Sequence, residues 1–372
     1  MSGARLVEWC RLPTSGARAV ERVEVDGMAL LAIPQLALDR PAGPADMNGG
    51  DSDTELLLLR RTAGGYERFQ TLSVPGGEDA EFFRIGKHAF LATASIRSGG
   101  GPYRYTVDSV LHRWTGAAFE PFQSFPGFAA KQWRHFSIEG RHFLALAQGV
   151  ALPGTEAVNQ PSRIFEWDGE RFRPFQDIPG RWGYNWHAFS VAGQEFLAHA
   201  DHVEPSRLYR WDGTRFVFHQ DLLAEHGRAF ASFTADGEFF LLAADLLGES
   251  KVLRWDGHRF VAHDVLDGPG ARELAVIPAE SGVYVVRVNF IQGTPAAPVT
   301  QLASQLYQWR EGRLAVVDEF TTSGGTDVAV LPDPAGTLVA VSNSLSAEVR
   351  FATDTVIYRF EEPVEPGQER ST

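Results

Sequence analysis

The feature that most constrains the fold of this chain is a phrase that recurs along its length. The phrase contains two apolar residues, a polar residue, Trp, a turn with Gly, and then another apolar residue. Five copies keep the tryptophan and two degenerate copies replace it, which gives anchors at positions 61, 114, 167, 211, 255, 309 and 360. The intervals between these anchors are 53, 53, 44, 44, 54 and 51 residues. Such a period is typical of repeat proteins in which each copy is one supersecondary unit.

The composition of each copy favours β-strands. Alternating runs flank an Asp-Gly pair, as at Asp168 and Gly169, and we expect a two-residue hairpin turn with positive φ at both residues. About twenty residues upstream, a second recurrent phrase such as 135–145 adds another hairpin around Gly140. Each unit therefore supplies four short strands, and no segment keeps a helical period. We expect the tryptophans of the phrase to be structural and to pack between neighbouring units, at Trp114, Trp167, Trp211, Trp255 and Trp309.

Seven four-stranded units predict an all-β fold, a seven-bladed β-propeller with antiparallel blades. Residues 6–13 resemble the outermost strand of a unit, whereas the last unit stops after its third strand near Phe360. We therefore expect the N-terminal strand to complete the last blade and to close the ring. In this interpretation residues 1–360 form one domain, and residues 361–372, rich in Glu and Pro, form a disordered tail.

Composition argues against several classes of function. With 47 acidic and 34 basic residues the formal net charge is −13, which disfavours nucleic-acid binding. No run of about 18 apolar residues occurs, so we expect no membrane insertion. The single cysteine, Cys10, cannot form an internal disulfide. The first residues lack the basic and apolar segments of a secretory signal, which favours the cytoplasm by default.

Several phrases resemble the epilepsy-associated repeat, also called EPTP. Residues 175–179 read Phe-Gln-Asp-Ile-Pro, residues 188–191 read Ala-Phe-Ser-Val, and residues 206–213 carry Ser, Tyr, Trp and Gly at the expected places. WD40 and kelch propellers are poorer matches, because the Gly-His pair of the first is absent and the double-Gly strand of the second is missing from most copies. The resemblance covers nearly the whole chain and is strongest over 120–260. It implies a seven-bladed propeller and extracellular protein–protein recognition, not catalysis.

The lengths of the connections predict where a partner binds. Long insertions separate the second and third strands of five units, whereas two units keep short links at 200–206 and 244–250. The insertions are 34–53, 95–108, 148–162, 289–304 and 342–355. All of them project from one face of a propeller, called here the loop-rich face, and binding residues concentrate on loops over a rigid scaffold. We predict a non-enzymatic recognition module for a protein or glycan partner, with neutral variation in loop length as the alternative.

Two further functions stay open at this stage. Four aromatic residues are candidate ligand-binding residues, and exposure of them would favour a lectin: Tyr103, Tyr105, Trp182 and Tyr184. A hydrolase or lyase with acidic residues at the mouth of the channel is the other alternative, because propellers host both enzymes and binding proteins.

Alignment of the innermost strands gives one residue per unit at the mouth of the central channel: Val20, Asp79, Trp133, Trp186, Phe230, Glu273 and Asp327. The three acidic residues fall in one sector. Converging carboxylates either bind a hard cation or raise one another's pKa. Asp79, Glu273 and Asp327 are therefore candidate ligands for Ca²⁺, the one cofactor that the sequence suggests, with solvated acids as the alternative.

Two weaker metal candidates complete the survey. Residues 46–53 carry oxygen ligands at alternating positions but lack the regular spacing of a calcium loop. His199 and His202 could share a metal only in a bent backbone, because residues three apart point to opposite faces of a strand. The chain contains no nucleophile elbow, His-Glu-x-x-His motif or phosphate-binding loop.

Overall fold

The computed structural model describes residues 3–151 and 160–363. Within these residues the chain forms seven four-stranded antiparallel sheets and one small two-stranded sheet, without helices. The sheets are the blades of a seven-bladed β-propeller, which confirms the predicted fold class.

The strands follow in chain order. The first fifteen are β1 (Arg5–Leu12), β2 (Glu21–Val25), β3 (Met28–Ile33), β4 (Glu55–Thr62), β5 (Gly65–Ser73), β6 (Gly77–Ile85), β7 (His88–Ser95), β8 (Ser109–Trp114), β9 (Phe119–Phe125), β10 (Ala130–Ile138), β11 (Arg141–Gln148), β12 (Ser162–Trp167), β13 (Phe172–Ile178), β14 (Gly183–Val191) and β15 (Gln194–Asp201). The others are β16 (Ser206–Trp211), β17 (Phe216–Leu223), β18 (Gly227–Ala235), β19 (Glu238–Asp245), β20 (Ser250–Trp255), β21 (Phe260–Leu266), β22 (Ala271–Ala279), β23 (Gly282–Asn289), β24 (Gln292–Thr294), β25 (Ala297–Val299), β26 (Gln301–Arg310), β27 (Arg313–Ser323), β28 (Gly325–Asp333), β29 (Gly336–Asn343) and β30 (Thr355–Glu361).

Each blade orders its strands from the channel outward. Blades 1 to 5 are β2-β3-β4-β5, β6-β7-β8-β9, β10-β11-β12-β13, β14-β15-β16-β17 and β18-β19-β20-β21. Blade 6 is β22-β23-β26-β27, and its long connection carries the extra hairpin β24-β25. Blade 7 is β28-β29-β30-β1.

The N-terminal strand closes the ring as predicted. β1 is antiparallel to β30, with Leu6 opposite Phe360 and Leu12 opposite Thr355. Blade 7 is thus built from both ends of the propeller sequence, and no blade is left with an unpaired third strand. Of the predicted tail, Glu361 still belongs to β30, and residues 364–372 lie outside the described residues.

The hairpin turns follow two rules. Between the first and second strands of blades 1, 3, 4 and 5, both central residues have positive φ, as at Glu139 (52°) and Gly140 (78°), which matches a type I′ turn. The Asp-Gly turns differ from the prediction, because Gly169 (103°) has positive φ whereas Asp168 does not. Asp168 Oδ1 instead accepts the backbone N–H groups of Glu170 and Arg171 at 2.9 and 2.8 Å. The central pair is therefore Gly169 and Glu170, one residue later than expected, because the aspartate side chain caps the turn.

The apolar core lies between neighbouring blades. One cluster joins Phe143 of blade 3 to Trp186 of blade 4. The repeated tryptophan extends this contact, since the Trp211 ring lies 5.5 Å from Phe143 and 6.1 Å from Phe175, both in the preceding blade. The other four tryptophans also pack on the preceding blade, as predicted: Trp114, Trp167, Trp255 and Trp309.

A glutamine in the outermost strand of blades 1 to 4 ties each blade to the next. Gln176 Nε2 donates to the Phe216 carbonyl at 2.8 Å, and the Phe216 N–H donates to Gln176 Oε1 at 3.0 Å. The side-chain amide thus takes the place of a fifth strand's backbone. The same paired hydrogen bonds, called here the glutamine clasp, are made by Gln70, Gln123 and Gln220.

A β-bulge lies near the start of the inner strand in blades 2 to 7. In blade 2 the ladder passes from Gly77 to Asp79, which leaves Glu78 as the extra residue. Such a residue is unpaired and bends its strand. The corresponding positions are Lys131, Tyr184, Arg228, Arg272 and Thr326.

The bulges correct the predicted ring of channel-mouth residues. Asp79 pairs with Ala94, and the equivalent pair in blade 3 joins Gln132, not Trp133, to Ala147. Trp133 and Trp186 are fully buried in the core between blades. The sequence alignment therefore combined two registers, since an extra residue in a strand is not visible in an alternating pattern.

Candidate functional site

The central channel contains a cavity of about 400 Å³ between the inner strands. A smaller cavity of about 30 Å³ lies where these strands begin, at the loop-rich end of the channel. The predicted metal ligands Asp79, Glu273 and Asp327 line both cavities, so the structure brings them to one level of the channel.

Two of these carboxylates bind the backbone of the next blade, whereas Glu273 Oε1 accepts the Leu274 N–H of its own strand at 3.1 Å. Asp79 Oδ2 accepts the Trp133 N–H at 2.7 Å, and Asp327 Oδ2 accepts the Val20 N–H at 2.7 Å. In each case the acid of one blade binds the next blade, at its inner strand (Trp133) or at the residue just before that strand (Val20). Gln132 Oε1 makes the equivalent bond to the Trp186 N–H at 2.5 Å, so a neutral acceptor performs the same task.

Burial changes the acidity of this layer. It raises the pKa of Asp79 well above its usual value, although the hydrogen bond from Trp133 acts in the opposite direction. Burial likewise raises the pKa of Glu273, with repulsion from Asp327 adding to the effect. For Asp327, burial raises the pKa to about 6 despite the hydrogen bond from Val20. Burial therefore favours the protonated form of all three acids relative to exposed carboxylates.

The arrangement is not a preformed metal centre. Across residues 3–151 and 160–363, no three His, Cys, Asp or Glu side chains are grouped closely enough to hold one ion. Calcium binding by Asp79, Glu273 and Asp327 stays a prediction, and it would require the carboxylates to move together. His199 and His202 do not share a site, because His199 bonds to Ser162 Oγ at 2.9 Å while His202 packs against Trp182.

The aspartate-rich loop 46–53 already surrounds a cation, the guanidinium of Arg97. Its Nη1 and Nη2 each donate at 2.6 Å to the carbonyls of Asn48 and Gly49, and its Nε donates to Ser52 Oγ at 2.9 Å. The centre of the loop is therefore occupied by a side chain from blade 2, while the Asp46, Asp51 and Asp53 carboxylates accept backbone N–H groups of Asn48, Asp53 and Gly99.

The four predicted aromatic residues lie in two places and are all partly buried. Tyr103 borders a separate cavity of about 190 Å³ among the loops, where its hydroxyl donates to the Gly50 carbonyl at 2.8 Å. Tyr105 packs against Phe128. Trp182 and Tyr184 stack on each other at 5.9 Å beside the channel. The four rings do not form one exposed platform.

A serine–histidine contact does not constitute a catalytic site. Ser162 and His199 are 0% and 1% exposed, so a substrate cannot reach either side chain. Ser162 occupies a position that is serine in several blades, where Ser206 and Ser250 likewise accept a backbone N–H from the end of the second strand. The conserved geometry of these contacts indicates a structural role.

The residues that sequence reasoning missed form a basic layer at the loop-rich end of the channel. Arg18, Lys131 and Arg272 surround the Glu78 carboxylate, with N–O distances of 3.5, 3.3 and 3.8 Å. Arg228 joins this layer by stacking on Tyr184, with its guanidinium 3.8 Å from the ring centre. A sequence signal existed: each of these cations directly follows the Gly or Ala that begins an inner strand or leads into it.

The loop-rich face also carries exposed apolar side chains. Among the described residues, seven large hydrophobic side chains are exposed, and four lie in its connections: Leu38, Val203, Leu247 and Val299. The other three, Phe218, Val265 and Val316, lie in outermost strands. In the described part of the chain there is no helix of the length and apolarity needed to cross a bilayer.

The closed ring defines the class of protein as a seven-bladed β-propeller with its long connections on one face. The EPTP domain is recognised in this chain at residues 118–168, 171–212 and 215–256. Each matched segment starts with the outermost strand of one blade and ends with the third strand of the next. The repeat is therefore offset from the blade by one strand, which is why β1 has to complete blade 7.

Three known proteins are similar to parts of the chain. The human Thrombospondin-type laminin G domain and EAR repeat-containing protein is 31% identical over 159 residues, 42% of this chain and 22% of that protein. Its mouse counterpart is 31% identical over 182 residues, 48% and 25% of the two chains. Leucine-rich repeat LGI family member 3 of Macaca fascicularis is 26% identical over 111 residues, 29% and 17%. The chain thus spans a quarter or less of these relatives. Residues 118–256 thus carry EPTP repeats, also called epilepsy-associated repeats, and the chain resembles proteins that contain such repeats.

Proposed function

We propose that this propeller is a non-enzymatic recognition module whose loop-rich face binds a protein partner. The observation that carries the proposal is the distribution of exposed apolar side chains. Leu38, Val203, Leu247 and Val299 come from four different blades yet share one face. Apolar residues gathered on a surface and bordered by polar residues are typical of protein interaction sites.

The loops on this face are held in place, which suits recognition. Arg97 ties the loop of blade 1 to that of blade 2 through Asn48, Gly49 and Ser52. Asp39 of blade 1 accepts the Phe351 N–H of blade 7 at 3.1 Å. A preorganised surface loses less conformational entropy when it binds than a mobile one does.

The experiment compares captured proteins between surface variants of the intact chain. Leu247→Glu and Val203→Glu place a charge on the loop-rich face, whereas Val316→Glu places the same charge on an outermost strand. We expect proteins that crosslink to the wild type to be lost from the first two variants and retained by Val316→Glu. Equal retention by all three, or selective loss with Val316→Glu, would contradict the proposal. A glycan array with the same variants checks the glycan alternative.

A further inference from the structure

The basic layer at the loop-rich end of the channel contains more positive charge than its neighbours compensate. Glu78 is the only carboxylate within 4.0 Å of Arg18, Lys131 or Arg272 among the described residues. Arg228 has no carboxylate within that distance in the same part of the chain, and its Nη1 donates to the Gly227 carbonyl at 3.2 Å. Four cations therefore share one anion.

These charges are buried, which makes the excess costly. The Glu78 side chain is 1% exposed and that of Lys131 is 6%, while Arg18 and Arg272 each retain 12%. Arg228 is 5% exposed, and Arg18 Nε is buried without a hydrogen-bond partner. Buried charges normally occur in pairs, because removing an ion from water is unfavourable.

The pKa values of the individual groups agree with an excess of positive charge in this layer. Burial would raise the pKa of Glu78, but the nearby Arg18, Lys131 and Arg272 charges outweigh it and lower that pKa. Burial lowers the pKa of Lys131 even though Glu78 lies beside it, and it lowers the pKa of Arg228 to about 10. The charged form of Glu78 is therefore stabilised, whereas the charged forms of Lys131 and Arg228 are destabilised.

The next layer of the channel does not remove the excess. Asp79, Glu273 and Asp327 line the same cavity, one residue further along their strands, but none of them is within 4.0 Å of Arg18, Lys131 or Arg272 in the described residues. Burial raises the pKa of each of these acids. Because a raised pKa favours the neutral carboxyl group, these acids offset the positive charge less than ordinary carboxylates would. The cavity of about 30 Å³ beside the basic layer exceeds the space that one ordered water requires.

We propose that this cavity is a binding site for a small oxyanion, held by Arg228, Arg272, Arg18 and Lys131. Guanidinium groups donate paired hydrogen bonds to carboxylate and phosphate oxygens, and Lys adds a point charge. The partly exposed Arg18 and Arg272 provide access from solvent. The inference does not depend on the proposed partner binding, because it concerns the channel and not the surface loops.

Calorimetric titration and thermal unfolding of the full chain test this site with sodium phosphate, sodium acetate and, as the reference, sodium chloride at equal ionic strength. We expect phosphate, acetate or both to bind saturably and to raise the melting temperature above the chloride reference. Preference for phosphate identifies a phosphate-class ligand, and equal response to acetate identifies a carboxylate. Absence of saturable binding by both anions overturns the proposal.

Variants separate the site from general salt effects. Arg228→Gln and Arg272→Gln should each weaken binding at least about tenfold, the effect of losing one charge-assisted contact of about 1.4 kcal/mol. Arg210→Gln, the same change at an exposed position of blade 4, should leave binding unchanged. Glu78→Gln should strengthen binding, because it removes the competing anion. Binding that is unchanged in both Arg228→Gln and Arg272→Gln, or that weakens in Glu78→Gln, contradicts the site. If one of the two arginine variants does not fold, the other arginine variant and Glu78→Gln still test it.

Discussion

Blades 1 to 5 and the sector from blade 5 through blade 7 to blade 1 are joined by different contacts. The first four junctions use the glutamine clasp, with two hydrogen bonds each, as between Gln176 and Phe216. The corresponding residues of blades 5 and 6 are Asp264 and Asp318. Asp318 makes a single bond, accepting the Leu6 N–H at 2.7 Å. A carboxylate cannot donate to a carbonyl, so it can replace only half of the clasp.

The junction between blades 7 and 1 has an ion pair in place of the glutamine clasp. Arg61 of blade 1 lies 2.9 Å from Asp333 of blade 7, and its guanidinium stacks on Trp9 at 4.4 Å. The EPTP matches end at residue 256, near the last glutamine clasp. The repeat sequence is therefore recognisable where the glutamine clasp recurs, and it diverges where each junction between blades is held by a different contact.

The largest expected effect concerns ring closure at blade 7, in the part of the ring that lacks the glutamine clasp. Deletion of residues 1–13 removes β1, exposes the edge of β30 and uncovers the core contacts of Leu6 and Leu12. We expect the melting temperature to fall by about 10 °C or more. Removal of residues 364–372 is the control and should have little effect. A chain without β1 that melts like the wild type would show that closure contributes nothing.

Substitution of a repeated tryptophan tests the packing among blades 1 to 5, where the glutamine clasp recurs. Trp211→Ala removes the contacts with Phe143 and Phe175 across one junction. Because the ring is only partly buried, we expect unfolding free energy to fall by about 2–4 kcal/mol, below the cost for a fully enclosed aromatic ring. Trp211→Phe should lose less. A cost of about 0.5 kcal/mol in denaturant unfolding is the surface range and would contradict this packing role.

The glutamine clasp is tested at the same junction. Gln176→Ala leaves the Phe216 N–H and carbonyl without their partner, so we expect a loss of about 1–2 kcal/mol in chemical denaturation. Gln176→Glu keeps the acceptor but loses the donor, and it should be destabilised as well. If Gln176→Glu unfolds like the wild type, the donor half of the clasp is unimportant and the comparison between sectors fails.

The hydrogen bond from the Val20 N–H to Asp327, which joins blades 7 and 1, gives the stability of the protein a pH dependence. The pKa of Asp327 is raised to about 6 by burial, so the folded state binds more protons than the unfolded state between about pH 4 and pH 6. Stability from this group is therefore lost as the pH rises through that window. Asp327→Asn still accepts the Val20 N–H, and we expect it to flatten the dependence and to gain about 1 kcal/mol at pH 7.5. A steeper dependence in the variant would contradict the sign.

The same variant examines the predicted calcium site. If Asp79, Glu273 and Asp327 bind calcium, the ion raises the melting temperature in a concentration-dependent way. Asp327→Asn should abolish that shift. A melting curve that millimolar calcium leaves in place, or an intact shift in the variant, returns these acids to their structural role alone.

The smallest expected effect is an increase in the free energy of unfolding. Asp264→Gln places a clasp at the junction of blades 5 and 6, where among the described residues Asp264 accepts only the adjacent Val265 N–H. Its new partner would be Leu314, which stands opposite Trp309 as Phe260 stands opposite Trp255. We expect a stabilisation of about 0.5–1 kcal/mol in denaturant unfolding. Destabilisation would show that the backbones of these blades differ too much for the clasp.

The sequence predicted the number of blades, their strands and the closure by β1. It could do so because turn residues such as Gly140 and apolar alternation are local and repeat seven times. It also placed Trp211 and its equivalents between blades. The Asp168 turn was shifted by one residue, since a side-chain cap competes with the simplest hairpin geometry.

The sequence by itself determined the architecture, because each blade is specified by short-range patterns that add up around a ring. The tertiary structure alone decided what lines the channel. One extra residue in the inner strands of blades 2 to 7 changes the register and turns Glu78, Lys131 and their equivalents inward. Residues from Arg18 to Arg272, far apart in the chain, then meet around one carboxylate. Burial makes their charges costly, which no local pattern reports, because the environment of a charge depends on the whole fold.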